Sequence, residues 1–217
     1  MTNADDLDFT GRTVLVSGAG TSIGRAVVLE FVARGARVII SDADETAARA
    51  VERDARALEA RLSDGPVLVV AGDDEELCRR AAELGRVDIV VIAAAPAPRV
   101  SFFDAAGAKG DPIEPAQSTV WRLAQAFVPG MMDGGWGRIV VLGESREASV
   151  TTRSLAADLG EYGITVNEID VGQPKMRAAI GRPPRPDEIA FAVACLGSPR
   201  SAAITGSVLH VDGGAPR

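Results

Sequence analysis

Seven short apolar runs, most of them followed by a stretch with helical spacing, leave this chain few folds to choose from. Strand-like runs stand at Thr13 to Ser17, Arg37 to Ser41, Val67 to Val70, Asp88 to Ala93, Arg138 to Leu142, Ile164 to Ile169 and Ser207 to Val211. Helical patterns fall at Ile23 to Arg34, Asp44 to Leu62, Asp74 to Leu84, Ala116 to Met132, Thr152 to Glu161 and Asp187 to Leu196; in the second, Val51, Ala55, Leu58 and Leu62 share one face. Strands that read as continuous apolar runs are buried on both sides, and helices between them supply the crossovers of a parallel sheet. The expected architecture is α/β: a single doubly wound domain over residues 1–217, with about seven parallel strands and helices on both faces. At 217 residues the chain fills one core and is short for two.

Charge and termini exclude several partners. The formal net charge is −7, with no basic cluster, so the long-range field repels phosphate backbones and anionic lipid. Neither nucleic acid nor membrane is expected as a partner. Residues 1–10 read as an N-terminal tail with two adjacent Asp and no apolar stretch, which is no secretory signal, and no run approaches the ~20 apolar residues of a membrane span. A cytoplasmic location follows. Cys78 and Cys195 lie in helical patterns without CxxC spacing and read as small apolar fillers.

Between the first strand and the first helix stands Ser17-Gly18-Ala19-Gly20-Thr21-Ser22-Ile23-Gly24. Glycines here permit a tight turn and close approach of backbone amides to a pyrophosphate, while the helix points its positive end at that anion. Asp42 closes the second strand, 24 residues past Gly18, where a carboxylate accepts hydrogen bonds from an adenosine ribose and repels a 2′-phosphate. The pattern is that of a Rossmann-type dinucleotide site and favours NAD over NADP. Loops rich in Pro and Gly, Ala95 to Pro115 and Asp170 to Pro186, follow strand ends on the side where open α/β sheets bind ligands.

The turn resembles the Thr-Gly-x-x-x-Gly-x-Gly signature of the short-chain dehydrogenase/reductase (SDR) family, with Ser17 in place of Thr and Ser22 in place of the middle Gly. The likeness continues through Gly137-Arg138-Ile139-Val140-Val141-Leu142, Gly163-Ile164-Thr165-Val166-Asn167, Pro186-Asp187-Glu188-Ile189-Ala190 and Ile204-Thr205-Gly206-Ser207-Val208-Leu209-His210-Val211-Asp212-Gly213-Gly214. It implies a cofactor-binding set of Gly18, Gly20, Thr21, Ser22, Ile23, Gly24, Asp42, Asp73 and Ala93.

What the resemblance implies for catalysis is a proton relay: a Tyr hydroxyl, a Lys four residues later on the same helix face, a Ser that orients the carbonyl and an Asn that supports a water. The sequence departs from this at every position. Its single tyrosine, Tyr162, has no lysine four residues away, and its only lysines are Lys109 and Lys175. The family Ser falls on Glu144, with Ser145 one place late; the Asn falls on Ala116; the Asn-Asn-Ala-Gly stretch reads Ile92-Ala93-Ala94-Ala95, and Pro-Gly becomes Val171-Gly172. Only eight residues separate Ser145 from Ser154 where the family carries the Tyr-bearing half of a long helix, so the resemblance implies that ~15 to 20 residues, about 25 Å of helix, are missing from the region 144–163. The substrate loop 170–186 is short as well. Twenty residues still join the fifth strand to the sixth, enough for a parallel crossover.

Three functions remain open. One is a non-catalytic or scaffold subunit, with NAD bound, that assembles with itself or with an active SDR through Asp187 to Gly214, where Ile189, Ala190, Val193 and Leu196 recur with helical spacing. Another is a non-redox enzyme of isomerase, lyase or cyclase type with a site rebuilt from Glu144 and Ser145, flanked by Arg146 and Glu147. The last is an NAD-dependent oxidoreductase with a different proton donor. His210, the only histidine, reads as a packing residue of the last strand, and Glu45 to Arg61 as a solvated helix face laced by Glu–Arg pairs.

Overall fold

A computed structural model describes residues 7–62, 67–71, 74–93, 114–143, 146–172 and 178–215. Seven strands form one parallel sheet: β1 (Thr13–Ser17), β2 (Arg37–Asp42), β3 (Val67–Ala71), β4 (Ile89–Ile92), β5 (Gly137–Gly143), β6 (Ile164–Asp170) and β7 (Val208–His210). Their spatial order is β3-β2-β1-β4-β5-β6-β7. The chain winds outward from β1 to β3, then returns to β4 beside β1 and winds the other way. The β1/β4 junction is therefore the switch point, the crevice where doubly wound sheets take ligands.

Helices cover both faces, as the apolar runs require. On one face α1 (Ser22–Ala33), α2 (Glu45–Leu62) and α7 (Pro186–Gly197) enclose a core with Val14, Val16, Val38, Ile40, Val140 and Ile169. On the other, α3 (Asp74–Arg79), α4 (Ala81–Leu84), α5 (Glu114–Asp133) and α6 (Arg146–Leu159) cover Leu15, Ile39, Val90, Ile139, Val141 and Val166.

Four expectations need correction. The helix expected over 74–84 is interrupted at Arg80 and forms two short pieces. The helix expected from Thr152 begins at Arg146, three residues past the end of β5, so helix fills most of the crossover to β6. Within the expected tail over 1–10, Phe9 is fully buried, and its ring meets Phe31 edge-on with centroids 4.8 Å apart. Finally, Ile189, Ala190, Val193 and Leu196 of α7 face inward; Val193 is 0% exposed. They pack the chain's own core and are not free to form an interface.

At the N-terminal ends of the strands, Arg138 is buried and its guanidinium donates to the carbonyls of Gly137 (2.7 Å), Gly163 (3.2 Å) and Ser198 (3.3 Å). It lies 4.4 Å from the centre of the Trp136 ring, which Arg12 also approaches to 4.0 Å. Burial first, and the charge of Arg12 second, push Arg138 down to about 10. The buried Asp88 accepts from Thr13 N and pairs with Arg12 and Arg86, tying β1 to β4.

Candidate functional site

The glycine turn occupies the switch point, and each of its residues has a mechanical reason. Gly18 takes a φ of 73°, which reverses the chain after β1. Thr21 caps α1: its hydroxyl donates to Gly18 O (2.9 Å) and accepts from Gly24 N (3.0 Å). A Cβ on Gly24 would collide with the carbonyl oxygen of Gly18. A Cβ on Gly20 would stand 2.7 Å from Ala47 Cβ and 2.9 Å from Asp42 Oδ2. Without one, Gly20 N donates to Asp42 Oδ2 at 2.7 Å, and Asp44 N occupies the other oxygen at 2.9 Å. Asp42 is thereby fixed over the turn, with about half of its roughly four acceptor positions unused. It does not merely begin a loop.

Ser22, which replaces a family glycine, is exposed as the first helical residue. With Thr21 serving Gly24, the amides of Ser22 and Ile23 have no acceptor among the described residues. Two free donors at a helix N-terminus, a turn without side chains and an anchored carboxylate fit a pyrophosphate and an adenosine ribose. Ala93 closes the β4 side of the crevice, donating its N–H to Ser17 O at 2.8 Å. The structure thus brings together Gly18, Gly20, Thr21, Ser22, Ile23, Gly24, Asp42 and Ala93. Asp73, Glu144, Ser145, Lys109 and Lys175 lie outside the described residues, as do the side chains of Ala116, Arg146 and Glu147.

Further along the sheet, the C-terminal sequence motifs hold β6 and its neighbours in place. Asn167 is buried; its amide donates to Ile204 O (2.8 Å) and accepts from Ser207 N (3.2 Å). Thr205 Oγ1 accepts from Val166 N, and Gly206 N donates to Val166 O. These residues latch the last loop to β6. His210 departs from its expected packing role: it is exposed at the sheet edge, with Nδ1 3.0 Å from Asp170 Oδ2. In the sequence Asp170 stands only as the start of a loop. The signal available in the sequence was a carboxylate ending one strand and the sole histidine ending the next.

Residues 12–148 match the short chain dehydrogenase family, and residues 172–216 match the enoyl-(acyl carrier protein) reductase family. The chain belongs to the short-chain dehydrogenase/reductase family. A curated relative, the 3-oxoacyl-acyl-carrier-protein reductase FabG of Escherichia coli K12, is 31% identical over 245 residues, with 96% of this chain and 98% of the relative covered. Among solved structures, a hydroxysteroid dehydrogenase from Escherichia coli superposes with a TM-score of 0.81 at 28% identity, covering 98% of this chain and 100% of that one. A 7α-hydroxysteroid dehydrogenase complexed with NADH and 7-oxo glycochenodeoxycholic acid gives 0.80 at 26%, covering 99% and 98%. The aligned stretch with FabG is longer than this whole 217-residue chain, so the relative carries segments that this chain lacks.

Tyr162 is the only tyrosine of the chain. It sits in a 3-10 turn, Gly160–Tyr162, just before β6 begins. In a parallel sheet this is the end opposite the glycine turn. The phenol is 38% exposed, and a hydrogen bond with Glu161 pushes its pKa above the ordinary value, the reverse of what a proton donor needs. No metal-binding cluster of His, Cys, Asp or Glu occurs among the described residues. No described helix is long and apolar enough to cross a membrane.

Proposed function

We propose that the chain is an NAD(H)-binding SDR subunit in which the family's hydride-transfer chemistry no longer operates, and that it assembles with itself or with an active relative. One observation carries the reading: the only tyrosine lies at the far end of the sheet from the cofactor turn, with no lysine four residues away. A dinucleotide supplies hydride chemistry when bound, but reduction of a carbonyl also needs a positioned proton donor. Its loss costs ~100 to 10,000-fold by general acid catalysis alone. The retained turn, the anchored Asp42 and a 26% identical relative holding NADH support continued cofactor binding. Two cysteines outside any disulfide and a net charge of −7 support a cytoplasmic protein with no nucleic-acid partner.

Calorimetric titration with NAD and NADP tests the cofactor, and a panel of carbonyl and alcohol substrates tests the chemistry. Expected are tighter binding of NAD and no NAD(P)H turnover above background. Tighter NADP binding would remove Asp42 from the ribose role. Turnover that vanishes on mutation of Glu144 or Ser145 would replace the proposal with a rebuilt oxidoreductase site.

A further inference from the structure

The row of residues at the C-terminal ends of β5, β6 and β7 carries chemistry that the family relay does not use. Cα register places Gly143 beside Asp170 and Asp170 beside His210, one residue short of the position where the family Ser falls. Side chains alternate along a strand. Ile169 packs with α1 and α7, while Val166 packs under α5 and α6, so Glu168 and Asp170 project toward α6, on the side where the helix is shortened. His210 projects the same way, because its neighbour Val211 packs against the α1/α7 core.

From this arrangement we propose that Asp170 and His210 form a proton-transfer site that activates water or a hydroxyl group toward small carbonyl compounds. Asp170 is oriented twice: Oδ1 accepts from Gly172 N at 2.9 Å, and Oδ2 faces His210 Nδ1 at 3.0 Å. A carboxylate on Nδ1 selects the tautomer with the proton there and leaves Nε2 as a lone-pair acceptor. Nothing among the described residues bonds to Nε2, and the imidazole side chain is 33% exposed. His210 is therefore the catalytic residue and Asp170 the positioning residue.

In the step, the O–H bond of water breaks as its oxygen attacks the carbonyl carbon. The proton passes to Nε2, and Asp170 stabilises the imidazolium. With an ester, the tetrahedral adduct expels the alcohol portion as an alkoxide or phenolate, which recovers that proton directly or from solvent. The site needs no dinucleotide, so it goes beyond the cofactor-binding role. Glu144 and Ser145 are not required for it.

Because His210 is the only histidine, its imidazole gives one set of signals in a nitrogen-15 correlated spectrum of the full chain. The expected result is the Nδ1–H tautomer near neutral pH, together with hydrolysis of p-nitrophenyl acetate at least tenfold faster than free imidazole at equal concentration. Hydrolysis should be lost in His210→Gln and reduced at least tenfold in Asp170→Asn, where the tautomer also shifts toward Nε2–H. An Nε2–H tautomer in the unaltered protein overturns the proposal without any variant. So does hydrolysis that survives either substitution, or the expected tautomer with no hydrolysis above imidazole, which would make the pair structural only. None of these readouts involves NAD, so their failure is separable from failure of cofactor binding.

Discussion

Gly20 shows how tightly one residue can be specified. Its missing Cβ lets Asp42 and Ala47 close over the turn, so Gly20→Ala forces them apart. Overpacking of this kind costs about 1–3 kcal/mol. Chemical denaturation should register that loss, and calorimetry should show NAD affinity down at least tenfold because Asp42 is displaced. Arg138 makes a different prediction. Its guanidinium serves three carbonyls at the other end of the sheet, and Arg138→Ala strands all three acceptors. We expect a loss of roughly 2–3 kcal/mol in unfolding free energy, with cofactor affinity unchanged. The sequence made Gly20 and Asp42 legible because their spacing is a local, one-dimensional property of a strand, a turn and a helix. Arg138 was read only as part of a motif, since its partners lie 1, 25 and 60 residues away. The pairing of Asp170 with His210 is not legible for the same reason: 40 residues separate them, and only the register of β6 and β7 brings them together.

Helices were legible where an apolar stripe marked them and not elsewhere. In α7 the stripe and the Pro-Asp-Glu start put both ends within one residue of those observed. The early start of α6 left no such mark among its described side chains: Val150 is 67% exposed, and Thr152, Leu155 and Ala156 are the buried ones. Arg80 separates α3 from α4 without a Gly or Pro beside it, so the break left no mark in the sequence. The start of α7 carries an acid-stability prediction. Hydrogen bonds from Arg182, and then from the Arg185 backbone N–H, lower Glu188 to about 2. A carboxylate depressed in this way stabilises the folded chain above its ordinary pKa near 4.5, and the contribution is lost as pH falls through about 2. Carboxyl carbon-13 titration should find Glu188 ionised well below the other glutamates, and Arg182→Ala should return it toward the ordinary value. Amide exchange at Ile189 and Ala190 should quicken in Glu188→Gln at neutral pH as the start of α7 frays.

At the scale of the whole molecule, the β7 edge of the sheet bears on assembly. β7 has a partner strand only on its β6 side among the described residues, and it is three residues long. Leu209 in it is 40% exposed and Ile204 just before it 43%, whereas the α7 residues expected to form the contact are interior. A two-fold pair that brings β7 edges and the outward side of α7 together would cover Leu209 while leaving Asp170 and His210 on the other face of the sheet. Stable pairs generally bury ~1,200 to 2,000 Å² in total, so one charge inside the contact should suffice to break it. Light scattering is therefore expected to give twice the chain mass for the unaltered protein and the single mass for Leu209→Arg, with an unchanged circular dichroism spectrum. Val193→Arg should unfold the chain instead of dissociating it, because its side chain has no exposure at all. The competing surface is marked by Trp121 on α5, 44% exposed, and by Val150 on α6. If Trp121→Arg yields monomers while Leu209→Arg does not, the pair forms across the shortened helix, and the segment Asp187 to Gly214 is not the contact.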